Sequence, residues 1–364
     1  KFEEYKKRNL WLSSQDRAVP VSPMQLRWNP LPALTKKDDV DFVDGIETFA
    51  INGSAESRSG SAIHLYRCNK SMTSRYFYNA DAEMVIVPQQ GGMRFATECG
   101  IIDADPTEVV VIPRGIKFQV HLKGSYAAGY ICENFGHDFE LPNLGPIGSN
   151  GLAATRDFLS PVAAYEHKKS SGTLITRFCG TLWQAPIEHS PLDVVGWFGN
   201  YYPYKYDLKR FNTMNTVSFD HPDPSIFTVL TSPSLAPGQA NVDFVIFPPR
   251  WMVAEDTFRP PYYHRNVMSE FMGLIHGVYD AKPAGGFEPG GSSLHNCMQA
   301  HGPEAGAFEA ATNATLKPNY QGDTLAFMFE SCLVYQPTTH AMKSSALQKD
   351  YLDCWQKLKV HFKG

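Results

Sequence analysis

The chain has 364 residues, of which 43% are hydrophobic, 13% aromatic and 19% charged; this is the composition of a folded globular protein and excludes a disordered one. Lys plus Arg number 33 against 37 Asp plus Glu, a formal net charge of −4, whereas a general nucleic-acid binder carries a basic excess. The sequence has no apolar run of ~18 residues, so no membrane-spanning helix is expected.

At roughly 150 residues per domain the length suggests about two units. The first residue is Lys, not Met, and the expectation is that an N-terminal piece is absent or processed. Seven cysteines (Cys68, Cys99, Cys132, Cys179, Cys297, Cys332 and Cys354) are scattered, with no CxxC. Several sit in apolar runs such as Tyr130-Ile131-Cys132. Buried, reduced thiols in a cytoplasmic protein are expected.

In chain order, the first half offers short strand-like runs at 62–67, 83–88, 94–98, 108–113, 117–122 and 127–133. Their spacing suits a sandwich or barrel. Lys117-Phe118-Gln119-Val120-His121-Leu122 alternates polar and apolar residues, as a half-buried strand requires. Glu108-Val109-Val110-Val111-Ile112-Pro113 is β-branched and then stopped by proline. Residues 140–157, rich in Gly, Pro and Asn, read as a connection. A second strand series follows at 226–231, 242–247, 270–278 and 325–330. A helix is expected to close the chain: Ser345…Gln348 reads as a capping box, and Leu347, Tyr351, Cys354, Trp355 and Leu358 recur at helical spacing. The resulting picture is all-β, two β-rich units in tandem, 1–210 and 211–364, with few helices and a C-terminal one.

The chemistry concentrates between residues 258 and 301. Glu270 stands at the start of a strongly apolar run. A buried unpaired carboxylate costs several kcal/mol, so a compensating cation is implied. His264 lies six residues upstream, an even offset that puts both side chains on one face of an extended segment. A Gly-rich turn, Gly285 to Ser293, leads to His295 and His301. Two His and one carboxylate with open positions make the facial triad of non-haem Fe(II) oxygenases. Spacing alone leaves a second reading open, hydrogen-bonded structural histidines and a strand-end charge facing solvent. His221, in Asp220-His221-Pro222-Asp223, reads from its neighbours as a loop His capped by Asp220 or Asp223. His64, His121, His137, His167, His189, His276, His340 and His361 read as structural or exposed.

His264-x-Asn266-x3-Glu270-x6-Gly277 resembles the first cupin motif, HxH-x3-E-x6-G, with Asn266 where the second His usually stands. Pro289-Gly290-Gly291 followed by His resembles the second motif. The stretch 258–275, with Gly290-Gly291-Ser292-Ser293-Leu294-His295 and His301-Gly302-Pro303, resembles the homogentisate 1,2-dioxygenase family, as do Gln25-Leu26-Arg27-Trp28 and segments 140–152, 197–208, 219–230, 243–251 and 326–331. The resemblance covers nearly the whole chain. It implies tandem jelly-roll (cupin-like) units and an Fe(II)-dependent dioxygenase. That enzyme converts homogentisate and O2 to maleylacetoacetate in tyrosine and phenylalanine catabolism. It implies Fe(II) ligands His264, Glu270 and His301, substrate contacts from Tyr279, His295 and His301, and His221 as the acid–base residue beside the substrate phenol. By cupin motif position alone, His295 is the third ligand; the closer family resemblance points to His301. It also implies a homo-oligomer, a hexamer built from trimers. Two other readings stay open: another cupin metalloenzyme, since fold does not fix function, and a non-catalytic cupin that binds a small ligand. A three-His iron site would favour other ring-cleaving cupins, and Glu270 argues for this one.

Overall fold

Alternation decides which face of each strand is buried, and here it feeds two cores from one sheet. The fold is described for residues 1–6, 10–12, 19–143, 152–196, 199, 201–214, 227–253, 259, 262–283 and 285–364 of a computed structural model. An eight-stranded sheet runs in the order Phe158–Leu159, Tyr204–Asp207, Glu108–Ile112, Glu83–Gln90, Ala127–Asn134, Ser59–Cys68, Ile46–Ser54, Gln336–Pro337. On one face Val85, Val87, Val109, Val111 and Tyr130 pack with Phe244, Phe271 and Phe327. On the other, Met84, Ile86, Val110 and Ile131 pack with Phe77, Phe95 and Phe118. A strand covered on both sides has no solvent face. That is why 108–112 reads as a continuous apolar run rather than an alternating one. Each of these side chains contributes ~1.5–3 kcal/mol when fully buried.

The two outer layers are a seven-stranded sheet and a six-stranded sheet. The seven-stranded one includes Arg75–Asn79, Met93–Thr97, Phe118–Leu122 and the hairpin Lys169–Phe178 with Thr181–His189. The six-stranded one has the order Thr228–Pro233, Ala240–Phe247, Thr324–Ser331, Ser269–Gly277, Ser292–His295, Leu26–Trp28. All-β architecture is therefore as expected. Strands cross between the early and late parts of the chain: Leu26–Trp28 joins the late sheet and Gln336–Pro337 the early one. Gly273 makes one close approach possible. A Cβ there would meet the Phe327 ring at 2.4 Å and Tyr130 at 2.9 Å.

The expected strands form at Ser59–Cys68, Glu83–Gln90, Met93–Thr97, Glu108–Ile112, Phe118–Leu122, Ala127–Asn134, Thr228–Pro233, Ala240–Phe247, Ser269–Gly277 and Thr324–Ser331. Part of the expected connection, 144–151, lies outside the described residues.

The C-terminal helix needs correction. Gln348, the expected capping residue, instead takes the Arg27 backbone carbonyl through its N–H at 2.9 Å, and Leu347 bridges to Trp28. The segment is thus held extended along Leu26–Trp28, and only a 3-10 turn, Tyr351–Trp355, follows. The longer helix is Ala305–Asn313, which the sequence reading did not anticipate.

One polar cluster lies wholly inside the early part of the fold. Glu133 and Arg177, both with fully buried side chains, pair at 2.7 Å. Glu133 also accepts from Trp11 Nε1 at 2.9 Å and Asn79 Nδ2 at 2.8 Å, and it lies 2.9 Å from His64 Nε2. His64 Nδ1 is 2.9 Å from the Thr48 hydroxyl. Both oxygens of the carboxylate are engaged, which is the condition for tolerating a buried charge. His64 is therefore a structural histidine, as expected.

Candidate metal centre

Glu270 enters the site on the strand Ser269–Gly277, directly opposite His295 on one neighbour and Glu330 on the other. His264 and His301 arrive on separate loops and are pinned together by a two-way backbone bridge. His264 N donates to His301 O at 2.8 Å, and His301 N donates to His264 O at 2.9 Å. The even offset from His264 to Glu270 is thus not what aligns them. Residues 267–268 bend, and the bridge sets the geometry instead.

One ligand atom each from His264, Glu270 and His301 lies within 4.8 Å of the others; Glu270 and His301 are buried and His264 is exposed. His264 Nδ1 donates to Tyr262 O at 2.6 Å and His301 Nδ1 donates to Gln299 O at 2.9 Å. Each donation occupies Nδ1 and leaves Nε2 as the nitrogen available to a metal, the arrangement of metal-bound histidines. Glu270 Oε1 accepts from Asn266 Nδ2 at 2.8 Å, while Oε2 lies 2.8 Å from His301 Nε2. Burial pushes the Glu270 carboxyl up, but the imidazoles of His295 and His301 outweigh it and hold the group well below the usual carboxylate range. Two imidazoles and one carboxylate suit a divalent cation.

His295 is built differently. Its Nε2 lies 2.8 Å from the Tyr351 hydroxyl, and its Nδ1 points toward Glu270 Oε2 at 3.8 Å. Burial first, then His301 and Lys282, hold it well below its ordinary value, so it is neutral. Lys282 Nζ donates to the same Tyr351 oxygen at 2.6 Å. The assignment that spends every donor then has Tyr351 donating to His295 Nε2 and the His295 proton on Nδ1 facing Glu270.

Lys282 is only 4% exposed. Burial first, then Arg27, brings its ammonium down to about 8, so it stays largely charged at neutral pH. Arg27 itself lies over the Tyr351 ring at 4.2 Å. A cavity of about 660 Å³ joins these groups; His264, Glu270, Tyr279, Lys282, His295 and His301 all line it. Its apolar wall includes Phe247, Met272 and Met328. Tyr279 is buried between the rings of Phe247 and Phe287.

The structure thus brings together five of the six residues singled out from sequence. The sixth, His221, lies outside the described residues. Asn266, Lys282 and Tyr351 were missed. Lys282 has a weak signal, a lysine three residues after Tyr279 and before an apolar turn; Tyr351 has none, because it comes from a remote turn.

Solved structures with a likeness to the chain include protein Ylba from E. coli, at 9% identity over 86% of this chain and 94% of that one, with a TM-score of 0.35. A cupin 2 conserved barrel domain protein from Leptotrichia buccalis is 9% identical over 83% and 92%, with a TM-score of 0.32. The bacterial pirin YhhW in complex with nickel(II) from Escherichia coli is 8% identical over 86% and 92%, with a TM-score of 0.32. Likenesses at this level carry no weight for function. The family model described as homogentisate 1,2-dioxygenase N-terminal matches residues 1–208, and the one described as homogentisate 1,2-dioxygenase C-terminal matches residues 209–362. With both halves matched and a His–Glu–His cluster at the head of the cavity, the chain belongs to the homogentisate 1,2-dioxygenase family, a family of oxidoreductases.

Proposed function

We propose that the chain is an Fe(II)-dependent dioxygenase that opens the ring of homogentisate with O2 to give maleylacetoacetate, a step of tyrosine and phenylalanine catabolism. The observation that carries this reading is the convergence of His264, Glu270 and His301 within 4.8 Å on a cavity that also holds the buried cation Lys282. His264 Nε2, His301 Nε2 and Glu270 Oε2 would hold the iron. When bound, a ferrous ion in such a site supplies one-electron chemistry and open positions for two reactants.

The chain's own groups do the rest. Homogentisate is a hydroquinone bearing an acetate arm. Lys282 accepts the acetate as a charge-assisted hydrogen-bond donor, with the Tyr279 hydroxyl as a second donor. His295, neutral and held by Tyr351, keeps a proton on Nδ1 between Glu270 and the substrate. His301 borders the bound substrate as well as holding metal. Phe247, Met272 and Met328 wall off water from the ring. His221 takes the proton of the hydroxyl remote from the metal, a task suited to an imidazole.

The same proposal takes 1–210 and 211–364 as the two units, supported by family models that abut between 208 and 209. It also takes the chain to assemble as a trimer-based hexamer. Exposed Val267 and Met298, at 75% and 49%, near His264 support self-association. A cytoplasmic setting is supported by seven free cysteines. No helix among the described residues is long and apolar enough to cross a membrane.

The deciding experiment is oxygen uptake by protein reconstituted anaerobically with Fe(II). Stoichiometric uptake on adding homogentisate, absent with Zn(II) and absent with 2-hydroxyphenylacetate, is expected. Iron bound at one per chain with no uptake would overturn the reading. A narrower prediction concerns Lys282→Met, which removes the acetate's cation. Hydrogen bonds to charged groups are worth ~1.5–3 kcal/mol, so kcat/KM for homogentisate should fall ~10- to 100-fold, mostly through KM. Hydroquinone, which lacks the acetate, should bind the variant and the parent alike. Because Lys282 loses its proton near pH 8, kcat/KM of the parent should decline above that pH and that of the variant should not, as a pH series of steady-state rates will show.

A further inference from the structure

The position where the common cupin motif carries a second histidine holds Asn266, and the structure gives this asparagine a distinct occupation. Its Nδ2 donates to Glu270 Oε1 and to Glu330 Oε1, each at 2.8 Å. Its Oδ1 accepts from the Met268 backbone N–H at 2.9 Å, and its own backbone carbonyl accepts from Met298 N at 2.7 Å. The orientation of the amide is unambiguous. A backbone N–H only donates and a carboxylate only accepts, so the oxygen must face Met268 and the two amide protons must face the two carboxylates.

The need for such an amide follows from strand register. Glu330 and Glu270 are direct cross-strand partners, with Asp243 the partner of Glu330 on the far side and His295 the partner of Glu270 on the near side. Direct cross-strand partners point to the same face, and like charges placed so destabilise a sheet. Glu270 and Glu330 are only 4% and 7% exposed. Asn266 inserts one proton toward each. No other side chain of this length offers two protons on one nitrogen together with an acceptor: histidine has one proton per ring nitrogen, and aspartate has none.

We infer that Asn266, aimed by Glu330, is a positioning residue that makes Glu270 a one-oxygen ligand and thereby keeps coordination positions open for the two reactants. With Oε1 occupied by the amide, only Oε2 faces His301, at 2.8 Å. The residue that would otherwise add a further imidazole to the metal instead withdraws one carboxylate oxygen from it. Both effects lower the number of protein donors. The inference rests on the metal-centre reading above and extends it to what controls the centre's openness.

The test uses apo-protein and Co(II), so that it reads the site without turnover. Asn266→Ala and Asn266→Asp both remove the two donors, the second at unchanged size. Loss of a group that orients a ligand costs ~10- to 100-fold in metal affinity. Both variants should weaken Co(II) binding by that factor in calorimetric titration. The visible absorption of bound Co(II) should weaken as Glu270 turns two oxygens to the metal and raises the coordination number. Glu330→Gln, which keeps an acceptor oxygen for Asn266, should retain the parent spectrum. Parent-like affinity and spectrum in whichever Asn266 variant folds would overturn the inference, as would a Glu330→Gln spectrum matching that of the Asn266 variants. A parent that binds Co(II) but, loaded with Fe(II), consumes no O2 with homogentisate would sink the proposed reaction and leave this inference standing. A parent with full oxygen uptake whose Asn266 variants bind Co(II) unchanged would do the reverse.

Discussion

Glu270→Gln is expected to keep the fold and lose the metal. The substitution preserves side-chain size and an acceptor oxygen at a position only 4% exposed. It removes a buried charge that His301 and Asn266 now offset. The apo-protein should therefore melt close to the parent. A neutral amide is a poor ligand, and the centre drops from one anionic and two neutral donors to two neutral donors. Perturbing a group that merely orients a ligand costs ~10- to 100-fold in affinity, and deleting the anionic ligand should cost more than that. Metal content after dialysis should fall from one per chain to a small fraction, and oxygen uptake should fall with it. A dialysed Glu270→Gln protein that kept stoichiometric iron would show that Glu270 is not a ligand. His301→Ala and His295→Ala make the companion pair. The Nε2 of His301 faces Glu270 within the cluster, whereas that of His295 is engaged by Tyr351, which predicts that only the first variant loses iron.

Arg177→Met should destabilise the fold by ~3–5 kcal/mol, the cost of stranding one partner of a buried ion pair. Glu133 would keep Trp11, His64 and Asn79 but lose its only full positive charge at 2.7 Å. Urea unfolding at pH 7 would measure the loss. The effect carries a pH signature. Burial pushes the Glu133 carboxyl up, but Arg177 and His64 outweigh it and hold the group at about 2, below its ordinary 4.5. A depressed carboxyl contributes stability above ~4.5 that is lost as pH falls toward ~2, because the unfolded chain takes up the proton first. In Arg177→Met the carboxyl is no longer held down and protonates in the folded state, which cancels that acid penalty. The gap between parent and variant should therefore narrow as pH falls from 7 to 4. A gap that stays constant over that range would mean that Arg177 acts through packing on the Trp11 ring, over which it lies at 4.6 Å, rather than through charge.

The cavity shows how function is laid on the scaffold. Glu270 and His295 stand on paired strands and are placed by register. His264 and His301 stand outside the strands and are placed by one backbone bridge. Lys282 follows the end of the Ser269–Gly277 strand, and Tyr351, from the last turn of the fold, ties it to His295. The site thus combines rigid strand positions with loop residues fixed by hydrogen bonds, as preorganised chemistry requires.

The residues themselves determined the strands. β-branched runs such as Val109-Val110-Val111 and alternating ones such as 117–122 have local periodicities that only an extended backbone satisfies. The sequence also singled out His264, Glu270, His295 and His301, because a carboxylate at the head of an apolar run requires compensation and the family motif lies on the same residues, while Tyr279 came from the family resemblance alone. Helical spacing at the C-terminus misled, because propensity is a weak prior that long-range pairing overrides. Gln348 and Leu347 found partners in Arg27 and Trp28, more than three hundred residues away in the chain. Burial of the central sheet on both faces, the His264–His301 bridge, the Asn266 amide between two carboxylates, and the Lys282–Tyr351–His295 chain were decided only by the tertiary structure. Each depends on groups distant in sequence meeting at hydrogen-bond range, and no local period encodes such a meeting.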